Sequence, residues 1–162
     1  MKTLIVYYSL SGNTEYIANH ISKKINANTL KLKPVKEIPT KGIKKFYYGG
    51  KSAVMKKTPA LENYDLNLDE YNHVIFGTPI WAGTFTPPLR TFIQENKDKL
   101  KNKNISAFFC NSGGGAKKAI IKLKKFLEIE NFQSELELIN PLVKNEEDQI
   151  EELERFIKEL EM

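Results

Sequence analysis

Short apolar runs punctuate the chain at Leu4–Tyr8, Thr29–Leu32, Val74–Gly77, Ile105–Cys110 and Leu136–Ile139, each the length of a strand. Between them apolar residues recur at helical spacing. Ile17, Ile21 and Ile25 share one face, as do Leu89, Phe92 and Ile93, then Ile120, Leu123 and Leu127, and finally Leu153, Phe156, Ile157 and Leu160. Strands that are apolar nearly throughout and alternate with amphipathic helices predict an α/β, doubly wound, five-stranded parallel sheet with helices on both faces. The alternation breaks once. The stretch from Pro34 to Asp69 is long, and Phe46, Tyr47, Tyr48, Val54 and Met55 within it predict a helical insertion between strands 2 and 3.

Length and composition narrow the class. At 162 residues, a single domain spanning 1–162 is expected, and 41% hydrophobic content is too much for a disordered chain. No apolar run approaches eighteen residues, so a soluble protein without a membrane partner is expected. Cys110 is the only cysteine, which excludes an internal disulfide and multi-cysteine metal sites and fits a reducing, cytoplasmic compartment. The net charge of +5 is uneven: residues 1–60 hold twelve lysines and two acids, and nine of those lysines lie between Lys31 and Lys57 with only Glu37 among them. That stretch is a cationic partner surface, a nucleic-acid footprint or a solvated face.

In an open parallel sheet, ligands bind beyond the carboxyl ends of the strands, where the strand order reverses. Three loops there carry suggestive chemistry. After the first strand, Ser9-Leu10-Ser11-Gly12-Asn13-Thr14 leads straight into a helix, offering hydroxyl, amide and backbone donors to a phosphate without any cation. It has neither the lysine of a Walker loop nor the three glycines of a dinucleotide turn. The alternative is that these side chains merely cap the helix. After the third strand, Thr78-Pro79-Ile80-Trp81-Ala82-Gly83 places the only Trp in a loop, either as a platform for a planar ring or, with Phe85, as a lid on the core. Pro87 and Pro88 should open the next helix. After the fourth strand, Asn111-Ser112-Gly113-Gly114-Gly115 either brings backbone amides against ring carbonyls or makes a tight turn.

These motifs together resemble the flavodoxin family over essentially the whole chain. Ser9–Thr14 is similar to its phosphate loop, Thr78–Gly83 to its first flavin-ring loop, and residues from Cys110 to Gly115 fall where the second belongs. The resemblance implies strand order 2-1-3-4-5 and bound FMN. It also implies that Ser9, Ser11, Gly12, Asn13 and Thr14 hold the phosphate, that Thr78, Pro79, Ile80, Trp81, Ala82 and Gly83 line the ring near N5, and that Asn111, Ser112, Gly113 and Gly114 line its pyrimidine side. With no Lys or Arg in any of the three loops, an apolar wall would disfavour added negative charge on the ring and lower its potential. Two features depart from electron-carrying members. The second ring loop has no aromatic residue, leaving Tyr47 or Tyr48 as candidates to cover the outer face, and the chain is basic.

The leading expectation is an FMN-binding electron-transfer protein shuttling low-potential electrons between redox partners. The alternative is an FMN-dependent reductase taking electrons from NAD(P)H to a quinone-type acceptor. An acidic partner or anionic substrate is expected at the lysine-rich 31–57 stretch rather than nucleic acid. No catalytic side chain and no metal site are expected: His20 and His73 read as surface residues and Cys110 as a small buried hydrophobe.

Overall fold

The computed structural model of the protein describes residues 2–36, 56–144 and 146–161. Of the expected insertion, Phe46, Tyr47, Tyr48, Val54 and Met55 lie outside the described residues, while Pro34, ahead of them, bridges Leu61 beyond them. The elements run β1 (Thr3–Tyr7), α1 (Asn13–Ile25), β2 (Asn28–Lys31), a short turn (Leu68–Glu70), β3 (His73–Pro79), α2 (Pro87–Glu95), α3 (Lys97–Leu100), β4 (Asn104–Asn111), α4 (Ala116–Leu127), β5 (Glu135–Ile139) and α5 (Glu147–Leu160).

All five strands pair in parallel in the order β2-β1-β3-β4-β5, as expected. Alternation along the strands divides the core in two. Leu4, Val6, Phe76, Ala107 and Phe109 face the side covered by α2 and α4, whereas Ile5, Ile75, Phe108, Leu136 and Leu138 face α1 and α5. Both faces are therefore apolar, which accounts for the unbroken hydrophobic runs in the central strands. The edge strand β2 is largely exposed and correspondingly polar. The expected helix faces are the buried ones, with Leu89, Phe92 and Ile93 inward on α2 and Leu153, Phe156, Ile157 and Leu160 inward on α5. Pro87 and Pro88 do occupy the first turn of α2. Among the described residues no helix is long and apolar enough to cross a membrane.

Two details differ from the sequence reading. β3 runs to Pro79, because Thr78 and Pro79 continue the ladder opposite Phe109 and Cys110. His73 is fully buried rather than at the surface, its Nε2 2.9 Å from Ser106 Oγ, and burial pushes its pKa down to about 4, so it is a neutral core residue at neutral pH. Its place after Asn72 at the start of the strand does not reveal this; the parallel pairing does, by setting His73 between Thr3 and Asn104 inside the sheet.

Gly77 is fixed by its neighbour. A Cβ there would lie 2.3 Å from Cζ of the buried Phe108, its register partner on β4. Gly77→Ala should destabilise the fold by about 1–3 kcal/mol in urea unfolding. Combining it with Phe108→Leu should recover part of that loss; strictly additive effects of the two changes would refute the contact.

Candidate functional site

β1, β3 and β4 end side by side, so the loops after them gather at one edge of the sheet. The first loop departs from the ladder after Tyr8, whose N–H still donates to the Gly77 carbonyl at 3.2 Å. Gly12 then takes φ 91°, a left-handed turn that starts α1 without a side-chain cap. The capping alternative thus does not hold, because the polar side chains are directed elsewhere. Asn13 Nδ2 donates to Ser11 Oγ at 3.3 Å, while Asn13 Oδ1 accepts the Leu142 N–H at 3.0 Å. Thr14 is buried and hydrogen-bonded to the Cys110 thiol. Ser9 Oγ is buried with no hydrogen-bond partner among the described residues. An uncapped helix start beside a buried hydroxyl with no partner among the described residues is a set of donors chemically suited to an anion.

The second loop begins at Ile80, whose N–H donates to the Cys110 carbonyl at 2.9 Å. Trp81 and Thr84 exchange backbone hydrogen bonds at 2.9 and 3.0 Å around Ala82 (φ 49°) and Gly83 (φ 66°). Positive φ at both central positions is the type I′ geometry, and holding a non-glycine residue there costs about 1 kcal/mol. Trp81 is only 6% exposed and meets Tyr8 edge-on at 5.6 Å, while Phe85 is fully buried. The lid alternative therefore describes both rings. Thr78 is buried too, its hydroxyl accepting the Thr86 N–H at 3.2 Å, so it ties the two ends of this loop together. Thr84 Oγ1 is a second buried hydroxyl without a partner among the described residues.

In the third loop Asn111 is the last residue of β4, and its amide organises the glycines beyond it. Its Oδ1 accepts from Gly113 N at 2.8 Å and Gly114 N at 2.9 Å, while its Nδ2 donates to Glu137 Oε1 on β5 at 2.6 Å. The amides of Gly113 and Gly114, expected to face ring carbonyls, are turned to Asn111 instead. Glu137, an acceptor only, fixes which way the Asn111 amide points. Gly113, Gly114 and Gly115 all have positive φ. A Cβ on Gly113 or Gly114 would meet nothing within 4 Å, whereas one on Gly115 would touch Gly83 Cα and Ile80 Cγ2 at 3.7 Å, so the second and third loops are in contact.

Electrostatics around the loops come from their flanks. Lys31 pairs with Glu15 at 2.7 Å, and burial, then the Glu15 charge, pushes the Tyr7 phenol up to about 12. Lys118, from the first turn of α4, lays its stem along Gly83, where a Cβ would find Lys118 Cδ at 3.7 Å. A cationic residue therefore does border the loops, contrary to the reading of the loop residues alone. Burial pushes the Cys110 thiol up to about 12, so it stays protonated at neutral pH and behaves as the expected small hydrophobe. Among the described residues no group of three His, Cys, Asp or Glu side chains could hold a metal ion.

Glu137, Thr84, Lys118 and Leu142 were not singled out from the sequence. Glu137 could have been suspected as an acid between two apolar strand positions; the others meet the site only through tertiary packing. Together the loops offer neutral donors for an anionic group and, beside them, open glycine backbone with an apolar flank at Ile80.

Comparison with known proteins places this geometry. A family model described as the flavodoxin domain matches residues 50–142. The solved structure of a candidate flavoprotein from Bacteroides eggerthii shares 21% identity and a TM-score of 0.72, covering 88% of this chain and 92% of that one. A flavoprotein from Lactobacillus acidophilus, solved in complex with FMN, shares 21% identity and a TM-score of 0.67 over 84% of this chain and 92% of that one. Two-electron reduced flavodoxin from Megasphaera elsdenii shares 18% identity and a TM-score of 0.60 over 96% of this chain and 98% of that one. At these identities the structural likeness is one of fold.

Asn111→Ala should release the Gly113 and Gly114 amides, which would then exchange with solvent roughly fivefold faster, each bond being worth about 1 kcal/mol. Glu137→Ala should act in the same direction but more weakly. Unchanged exchange at both glycines would show that the loop holds itself.

Proposed function

The chain belongs to the flavodoxin family, and we propose that it binds FMN at this edge and passes electrons between redox proteins. The observation that carries the reading is the buried, unpaired Ser9 hydroxyl beside the uncapped start of α1. A native protein rarely leaves such a group unsatisfied, and a phosphate satisfies it together with the free N–H groups of the first helical turn. In this reading Ser9, Ser11, Gly12, Asn13 and Thr14 hold the phosphate, mostly through the backbone, since the Asn13 and Thr14 side chains are already engaged. Ile80 to Gly83 and Asn111 to Gly114 hold the ring system.

FMN, when bound, supplies the capacity to take up and release electrons singly or in pairs. The chain's own contribution is positional. The turn at Ala82 and Gly83 is held between Trp81 and Thr84, and the glycine loop is held by Asn111, so little reorganisation need accompany a change of charge. The loops contain no titratable side chain other than the protonated Cys110 at their border, which suits a carrier better than a catalyst that must move protons.

One observation favours the reductase alternative. The glycine loop presents no aromatic side chain, and among the described residues no atom lies within 4 Å of a Cβ added at Gly113 or Gly114, an approach suited to a second planar molecule such as a nicotinamide. Steady-state oxidation of NAD(P)H by the FMN-loaded protein with a quinone separates the two. A carrier should turn over slowly without a protein partner; rapid unaided turnover would establish the reductase.

Ser9→Ala tests the site itself with two readouts of different sign. FMN affinity, monitored by flavin fluorescence, should fall roughly 5- to 30-fold. Stability of the FMN-free protein should hold or rise by up to about 1 kcal/mol, because a buried unsatisfied hydroxyl is removed. Unaltered affinity would sink the assignment.

A further inference from the structure

The outer face of α4 is the most one-sided charged surface among the described residues. The helix carries Lys117, Lys118, Lys122, Lys124 and Lys125 and no acid. Lys124 is occupied, 2.8 Å from Glu135 and over the Phe132 ring. The other four have no ion-pair partner among the described residues and point to solvent. At 100° per residue, Lys117, Ile121, Lys125, Lys118 and Lys122 fall within an arc of about 140° and along about 12 Å of helix. The opposite side of the helix, with Ala116, Ala119 and Leu123, is buried. In the middle of the lysine arc stands Ile121, 65% exposed.

We propose that this face of α4 is the docking surface for an acidic redox protein, with Ile121 as its apolar centre and Lys117, Lys118, Lys122 and Lys125 as its charged ring. The inference rests on the electron-carrier reading above and adds the partner's polarity and landing site. Position supports it: α4 starts directly after the glycine loop, and the Lys118 stem lies along Gly83, so a protein seated here touches the rim of the proposed flavin site. Chemistry favours a protein over a nucleic acid. An exposed aliphatic side chain ringed by charge is the arrangement of a small protein interface, whereas phosphates would leave Ile121 uncovered, and the arc has neither arginine forks nor aromatic rings to engage bases. The patch is small, as suits a short-lived electron-transfer encounter. It is distinct in sequence from the lysine-rich 31–57 stretch, where Lys31 is already paired with Glu15.

The FMN-loaded protein is titrated with a [2Fe–2S] ferredoxin of strongly negative net charge, reading binding by calorimetry and, separately, electron transfer by stopped flow. The charge pair Lys122→Gln/Lys125→Gln should weaken ferredoxin binding roughly fivefold to tenfold at low salt and flatten its salt dependence, with FMN affinity unchanged. The control pair Lys99→Gln/Lys101→Gln, equal in charge but at the opposite end of the sheet, should change binding less than about twofold. Ile121→Ala should weaken binding without altering the salt dependence. No ferredoxin binding by the unmodified protein, equal losses from the two lysine pairs, or tighter retention of a DNA duplex that the α4 pair alone releases would each overturn the proposal. Intact α4-dependent binding with no electron passing would instead overturn the carrier reading alone.

Discussion

Parallel pairing of β1, β3 and β4 in one register governs the placement of every loop at the site. Tyr7 lies opposite Gly77, and Gly77 opposite Phe108, so the three strands reach the same edge together. The chain leaves β1 toward β2 on one side and reaches β3 on the other, which opens the crevice between the first two loops. Holding that register in the middle of the sheet requires a residue without a side chain at Gly77, because the Phe108 ring fills the space that a Cβ would take. A core-packing requirement thus determines where the functional loops begin.

The loops themselves are held from the fifth strand. Glu137 on β5 orients Asn111, which gathers the glycine loop, and Leu142 beyond β5 gives its N–H to Asn13 at the start of α1. Leu142 also approaches Gly12, where an added Cβ would lie 3.2 Å from Leu142 Cδ1. These are neutral or singly charged hydrogen bonds at the end of a well-packed sheet, where their geometry is fixed before any ligand arrives. The groups left unpaired are correspondingly informative. The Ser9 and Thr84 hydroxyls are buried without partners among the described residues, in a neighbourhood where Asn13, Thr14, Thr78 and Asn111 all have theirs.

The five strands and the helix faces were legible because burial on both sides of a parallel sheet writes itself as apolar runs, and burial on one side of a helix as a 3.6-residue period. The loops were legible because glycine, serine and asparagine clusters have few other reasons to come after three successive strands of the sheet's centre. The misreadings share a cause: each concerned a partner distant in sequence. Asn111 offered a donor and an acceptor, and only Glu137 determines which faces the glycines. His73 read as a surface residue at a strand start until its neighbours on both sides enclosed it. The loop residues contained no cation, yet α4 folds back to lay Lys118 against Gly83.

The net charge of +5 conceals an uneven distribution between the two faces of the sheet. Helix α4, covering one face of the sheet, carries five lysines and no acid, whereas α5, covering the other, carries six acids against one Arg and one Lys. The two helices therefore carry charge of opposite sign on opposite faces of the sheet, and the net charge understates the field near either one. Charges buried against a redox group would bias its potential and require compensation. Charges on solvated helices beside such a group would instead act on a partner over roughly a Debye length and leave the loops neutral. Binding by backbone dipoles and steering by flanking lysines can then change independently, so a loop at Ser9–Thr14 without any lysine, as proposed for the phosphate, is compatible with a basic chain.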